Sequence, residues 1–408
     1  MALDDIALQK AAAGSEGSYR WVVLGVATIA QATASFVILG FGVLAGFLQQ
    51  DFHLDASQIG LLIGAAGAAP VIALPLVGDL LDQRGERLIV GFGAAVVAAG
   101  LVLAALAPNF VSLLIFLFVV GIGYSASQPG GSKSVTAWFR GDRLGFAVGI
   151  RQAGLPLGGA AAAAILPVIA SLWSWRVAFV FGAAVALAGG LAFSAVYRAP
   201  ATANGTVHRR APAKSRWHLF SMLRHPWMRS AAVSGITLVG AQYAIISYFM
   251  LSLRDEQAIP LVEGARLMFV TQLCGVAGRV LLAAWSDRIG ASRFRLVVAS
   301  MVAVGVGLLT LAILPTHVPM PVLLVVAAWL GFFGLGWYGP WVAFVADIAP
   351  PENLGLALGT AMALNQIAIM AAPPLLGLLH DAAGGYATIW SCMAVLVIAA
   401  IAGTRRLR

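Results

Sequence analysis

The 408 residues are 61% hydrophobic and only 10% charged, with a mean hydropathy of +0.92. A soluble domain carries roughly 25% charged residues, so a water-exposed surface cannot be built from this composition. The formal net charge of +9 is explained below by where the basic residues fall, and nucleic-acid binding is not needed to account for it.

Residues 1–19 are polar or small and include Asp4, Asp5 and Glu16, and the apolar run after them is too long for the core of a signal peptide. No cleavable leader is therefore expected. Apolar segments of about 20–28 residues follow, enough to cross the ~30 Å hydrocarbon core at 1.5 Å per residue. Twelve are predicted. The first six are 20–48, 57–81, 88–107, 110–138, 143–170 and 176–197; the second six are 227–254, 261–286, 292–314, 320–347, 353–380 and 385–404. The many glycines and alanines favour close helix approach in lipid.

Helix one carries Gln31 near its middle, and GDLLDQRGER at 78–87 forms the turn between helices two and three. Helix four places Tyr124, Gln128 and Ser132 at four-residue spacing. Helix five contains GFAVGIRQAGLPLGGA, with Arg151 and Gln152 followed by Gly154, Pro156, Gly158 and Gly159. Its glycines and proline predict tight packing and a local break in helix hydrogen bonding. Trp173 and Trp175 are expected to be interfacial anchors.

Residues 198–218 are polar and contain proline without apolar periodicity, which marks 198–226 as a connection between two units, 1–197 and 227–408. Beyond it, helix seven has Gln242 and Tyr243, and helix eight has Gln272, Gly275 and Arg279 on one face. AAWSDRIGAS follows at 283–292, helix ten carries Trp337, Tyr338 and Trp341, and helix eleven carries Asn365 and Gln366. Cys274 and Cys392 lack the spacing of a metal site or a disulfide framework and are read as apolar fillers.

The halves repeat. AAWSDRIGAS echoes GDLLDQRGER with Gly85 and Gly290 lying 205 residues apart, and GFAVG at 145–149 returns as GLALG at 355–359, a shift of 210. Two copies of one unit in so apolar a chain predict a transporter with its substrate site between them. Of the 25 Lys and Arg residues, Arg176, Arg254 and Arg266 fall in loops on the far side, and Lys133, Arg151 and Arg279 lie inside helices. The other nineteen share the side of both termini, so the termini and the connection are expected to be cytoplasmic, in a multi-pass plasma (inner) membrane protein. Arg209, Arg210, Lys214 and Arg216 are expected near anionic headgroups.

The chain resembles the major facilitator superfamily over essentially its full length. The superfamily's signature between helices two and three runs Gly, three residues, Asp, two residues, Gly, then basic residues; Gly78, Asp82, Gly85 and Arg87 match it, with Glu86 at a usually basic position. In the second half Asp287, Arg288 and Gly290 remain, with Ala283 at the first glycine position. The resemblance implies an all-α membrane protein of two pseudo-symmetric six-helix bundles that works by alternating access. Physically, these seven signature residues read as a gate or as a structural turn. A carboxylate such as Asp82 can bond arginines or a neighbouring helix N-terminus and hold the bundles together in one state.

All sixteen acidic residues and all six histidines map to termini, loops or helix ends, which leaves Arg151 and Arg279 as intramembrane charges. Such an arginine usually faces a cavity or a partner, and the missing partner is read as the negative charge of a substrate. The resemblance adds that monocarboxylate, oxalate and nitrate branches meet an anion with a helix-eight arginine. Arg279, eight residues before Asp287, lies at that place. Monocarboxylate carriers usually have an acidic residue one turn earlier, where this chain has Gly275. The alternatives are a headgroup anchor or a loop latch for Arg279 and a bond to a helix-four hydroxyl or carbonyl for Arg151.

The resemblance places helices one, four, seven and ten around the cavity, with an expected lining of Gln31, Tyr124, Gln128, Gln152, Tyr243, Gln272, Trp337, Tyr338, Asn365 and Gln366 beside the two arginines. The predicted function is secondary active or facilitative transport of a small organic anion, a monocarboxylate or related acid. The alternative is an exporter (antiporter) of apolar or amphipathic drug-like compounds, and a third class is a transport-dead sensor. The chain has no GxxxxGK[ST] loop, no plausible triad and no GxGxxG after a strand, so it is not expected to be an enzyme. No cofactor and no metal are expected. The expected partners are the organic anion and the bilayer, no nucleic acid, with the monomer as the functional unit. Without a titratable group at mid-depth, any proton dependence must come from the substrate or from groups at helix ends.

Overall fold

The computed structural model describes residues 2–139, 144–200, 224–289, 293–349 and 354–406. The first half contains α1 (Ala2–Phe52), α2 (Ala56–Arg84), α3 (Glu86–Ala105), α4 (Phe110–Tyr124), α5 (Ser127–Trp138), α6 (Leu144–Leu172) and α7 (Trp175–Val196). The second contains α8 (Pro226–Gln257), α9 (Leu261–Ile289), α10 (Arg293–Ala312), α11 (Met320–Gly334), α12 (Tyr338–Ile348), α13 (Leu354–Ala383) and α14 (Tyr386–Arg406). They make twelve candidate membrane spans, because α4 with α5 and α11 with α12 each count as one. The chain is an all-α multi-pass membrane protein of two six-helix bundles. In lipid a helix satisfies its own backbone, which is why so apolar a chain takes this form. Side chains such as Ile72, Phe92 and Val325 stay exposed on the outer surface, where acyl chains replace water.

The sequence predicts helices four and ten as continuous, and the structure breaks both. The breaks are symmetric: Ser125 caps the end of α4 and Leu335 the end of α11, and both new helices carry a proline in their first turn, Pro129 and Pro340. Proline is tolerated there because the first helical N–H groups have no intrahelical partner. Helix five departs in the other direction. α6 runs unbroken through Pro156 and Pro167, and its glycines serve packing instead. A Cβ on Gly158 would meet the Ala32 carbonyl of α1.

The turns away from the termini are fixed by caps. Asp55 and Gln58 form a capping box on α2, Asn109 and Ser112 another on α4, and Ser174 caps α7. Gly85 joins α2 to α3 at φ 79°, a conformation that favours glycine. Trp173 is exposed as expected of an anchor, but Trp175 is buried: it packs on Phe52 and Phe179 and donates to Asp51 at 2.8 Å.

The bundles meet along α2 with α13, α6 with α9 and α1 with α8. At the end opposite the termini this seam is tight. A Cβ on Gly60 would sit 2.4 Å from the Pro373 carbonyl oxygen, and one on Gly377 would sit 2.3 Å from that of Ala56. Glycine is required on both helices for backbones this close. Tyr248 donates to the Pro373 carbonyl at 2.5 Å with the Ala56 carbonyl 3.1 Å away, and Arg254 donates to Gln49 across the seam at 2.7 Å.

Candidate functional site

About two turns into α6, the first bundle is organised around Arg151, which is fully buried. α6 carries it inward against α1 and the junction of α4 and α5. Its Nη1 donates to Gln31 Oε1 at 2.9 Å, and its Nη2 donates to Gln128 Oε1 at 3.1 Å and Ser132 Oγ at 2.7 Å. Gln31 in turn donates to Ser35 at 3.0 Å, and Tyr124 lies beside Gln31, Ser35 and Gln128. This is the helix-four hydroxyl bond that stood as the structural alternative for Arg151. Its Nε has no hydrogen-bond partner among the described residues.

Arg279 occupies the seam. The turn between α11 and α12 leaves the Leu335 carbonyl available, and Arg279 Nε donates to it at 3.1 Å. Nη1 reaches the other bundle and donates to the Gln152 carbonyl of α6 at 3.3 Å. Tyr338 presents its ring to the guanidinium, with 5.5 Å to the centroid, and Tyr124 and Tyr243 complete a group of phenols around it. Neither arginine pairs with a carboxylate among the described residues. A charge within a span is costly, up to about 2.5–3.5 kcal/mol or more at the bilayer centre, and here neutral acceptors alone hold it among the described residues. Gly275 packs against Leu335, whose Cβ would lie 2.8 Å from any Cβ added there. The acidic residue of monocarboxylate carriers has no room at this position.

The remaining expected lining residues divide into two groups. Gln152 and Gln272 each hold an unpartnered side-chain oxygen near the seam, and Gln366 crosses it to donate to the Gly67 carbonyl at 2.9 Å. Asn365 is buried, and neither of its amide atoms has a partner among the described residues. Trp337 and Trp341 are less available. The first is buried and donates to Gln242 at 3.0 Å, the second to the Ala231 carbonyl at 3.0 Å, so both brace α12 against α8.

Of the gate residues, Asp82 pairs with Lys133 at 2.9 Å, and Glu86 shares the same ammonium at 3.2 Å. Both contacts stay inside the first bundle, between α2–α3 and α5. Gly78 lies on α2, Gly85 makes the turn, and the Arg87 carbonyl accepts from Ser194. Arg288 is exposed. Gly290 and the Asp287 side chain lie outside the described residues.

Sequence reasoning missed the two helix breaks, which Pro129 and Pro340 signal. It also missed the bonds across the far end of the seam, which have no local signature because their partners lie far apart in sequence.

Twelve spans in two bundles, meeting over a buried polar layer, define a membrane carrier. The chain belongs to the Major Facilitator Superfamily, whose family model matches residues 25–342 and 285–407. It is 28% identical to an uncharacterized transporter of that superfamily from Mycobacterium tuberculosis, over 94% of this chain and 84% of the relative. The gentisate transporter of Corynebacterium glutamicum is 25% identical over 84% of this chain and 77% of its own length. Among solved structures, a bacterial homologue of the human lysosomal transporter Spinster superposes with a TM-score of 0.74 at 18% identity, covering 95% of this chain and 97% of that one.

Proposed function

We propose that the chain carries a small organic anion across the membrane by alternating access, with the substrate carboxylate received by Arg279. The observation that carries this reading is Arg279 itself. It is a buried guanidinium on the seam between bundles, held by two backbone carbonyls and ringed by phenols, with no acidic partner among the described residues. Guanidinium geometry suits a bidentate carboxylate, and the phenols can cover the substrate's apolar body. Arg151 sits one shell back, where it orients Gln31 and Gln128. The relative that carries gentisate, an acid, supports the substrate class.

The basic residues on the terminal side support cytoplasmic termini, and on that orientation the tight seam closes the outer face. The test is thermal stabilisation of the purified protein by a panel of monocarboxylates against a panel of lipophilic cations. Saturable stabilisation by one or more acids and by none of the cations is expected. Stabilisation by the cations alone would move the reading to the exporter of amphipathic compounds.

A further inference from the structure

At the end of the seam away from the termini, the last turn of α13 reaches across to the first turn of α2. Asp381 accepts from the Ala56 N–H at 3.1 Å through one carboxylate oxygen and from the Ser57 N–H at 2.8 Å through the other. A side chain of one bundle thus caps a helix of the other, next to the glycine contacts and the Tyr248 bridge. The first N–H groups of α2 have no intrahelical partner, and the positive end of the helix dipole favours a full negative charge there.

Most of the other carboxylates described at this end are committed elsewhere. On α2, Asp55 caps its own helix and accepts from Ser57 Oγ at 2.7 Å, while Asp51 of α1 pairs with Arg176. On α8, Asp255 is held by Arg254 at 2.6 Å and accepts from the Tyr386 hydroxyl of α14, and Glu256 accepts from the Tyr386 N–H. His380, beside Asp381 on α13, lies 3.2 Å from its carboxylate and packs on the Tyr386 ring. His53 lies in the turn before α2. Among these described carboxylates, Asp381 is the one bonded to the opposite bundle, and its side chain is 28% exposed, so protons reach it.

We propose that Asp381 is a proton-binding site that operates the outer gate: ionised, it clamps α2 to α13; protonated, it releases α2 and lets the bundles part on that side. Two backbone donors use both oxygens of a carboxylate. A carboxylic acid keeps one good acceptor and no charge, so it loses one bond and the attraction of the helix end. In the open state those N–H groups and the carboxylate are free for water. The proton and the closed gate therefore exclude one another, and by linkage acid on the outer side shifts the population toward opening. This inference goes beyond the substrate reading and does not depend on it.

The test is the distance between spin labels at Gln50→Cys and Ala383→Cys, on exposed ends of α1 and α13, in a Cys274→Ala, Cys392→Ala background. The protein is reconstituted in lipid without ligand. A carboxyl freed in the open state titrates near the ordinary aspartate value of about 3.9, so lowering the medium from about pH 8 to about pH 3 is expected to raise the ratio of long to short distances about five- to ninefold. Asp381→Asn should show the long-distance ratio at both values. Asp381→Glu, which keeps the charge but displaces the carboxylate, should move the midpoint. His380→Gln should leave the response intact. The proposal is overturned if Asp381→Asn still responds to pH, if Asp381→Glu titrates as the parent does, or if His380→Gln abolishes the response.

Discussion

Replacing Arg279 separates recognition from folding because the two costs have different sources. In the proposed complex the guanidinium would give a carboxylate two charge-assisted hydrogen bonds, each worth about 1.5–3 kcal/mol net. Lysine at this position offers a point charge and keeps about one of them, so binding should weaken by about 1.5–3 kcal/mol, roughly 10- to 150-fold. Alanine removes both bonds and should weaken binding at least about 100-fold. The unliganded protein is affected differently. Losing Arg279 orphans the Leu335 and Gln152 carbonyls, at about 1–3 kcal/mol each if they stay dry. Removing a charge without an acidic partner from inside the span returns up to about 2.5–3.5 kcal/mol. These nearly cancel, so the melting temperature of Arg279→Ala should stay within a few degrees of the parent. Titration calorimetry with an acid found in the thermal screen supplies the affinities, and a melt without ligand supplies the stability. An alanine variant that binds this acid as tightly as the parent refutes the assignment of the carboxylate to Arg279.

Arg151→Ala should destabilise the fold as well as binding, because it strands Gln31, Gln128 and Ser132 in a buried layer; the melt of the unliganded variant, lower by several degrees, checks this. Asp82→Asn should change the stability of this conformation by less than about 1 kcal/mol, since its pair with Lys133 is half-exposed. If the carboxylate latches the bundles in the opposite state, crosslinking across the termini-side ends should report more protein open on that side; unchanged crosslinking and transport leave Asp82 as a turn residue. Gly377→Val drives a side chain into the Ala56 carbonyl, so folded protein with lost transport and a widened outer label distance is expected. Substrate counterflow in liposomes should proceed without an imposed proton gradient, because the sequence puts its carboxylates and histidines at termini, loops and helix ends. Strict dependence on such a gradient for an acid that stays ionised would contradict this.

The spans and the two-bundle plan were legible in the sequence because length and hydropathy report directly on the bilayer, and the repeat of Gly85 and Gly290 reports on duplication. The buried arginines were legible too, since a charge inside an apolar run stands out. Their partners were not. Arg151 finds acceptors on α1 and around the break in helix four, and Arg279 finds carbonyls of Leu335 and Gln152, groups with no side-chain signature at all. Trp175 misled because indole near a span end usually marks the interface, whereas here Asp51 from α1 takes its N–H inside the bundle. Asp381 was invisible for a related reason: its partners are main-chain N–H groups more than three hundred residues away.

The seam between α2 and α13 is made largely of main chain against main chain, at Gly60, Pro373, Gly377 and Ala56. A surface of that kind has no rotamers to reset when it parts and closes, so it behaves as a bearing. It is also indifferent to cargo. Gln366, at the level of the polar layer, and Gly377, in the bearing, are on one helix about 16 Å apart at 1.5 Å per residue. On the proposed assignment of the cargo to Arg279, changing what is recognised calls for edits around Arg279, Gln152 and Tyr338 that leave the moving contact as it is. A retuned carrier built on this chain should keep the stroke of its parent while transporting a different load.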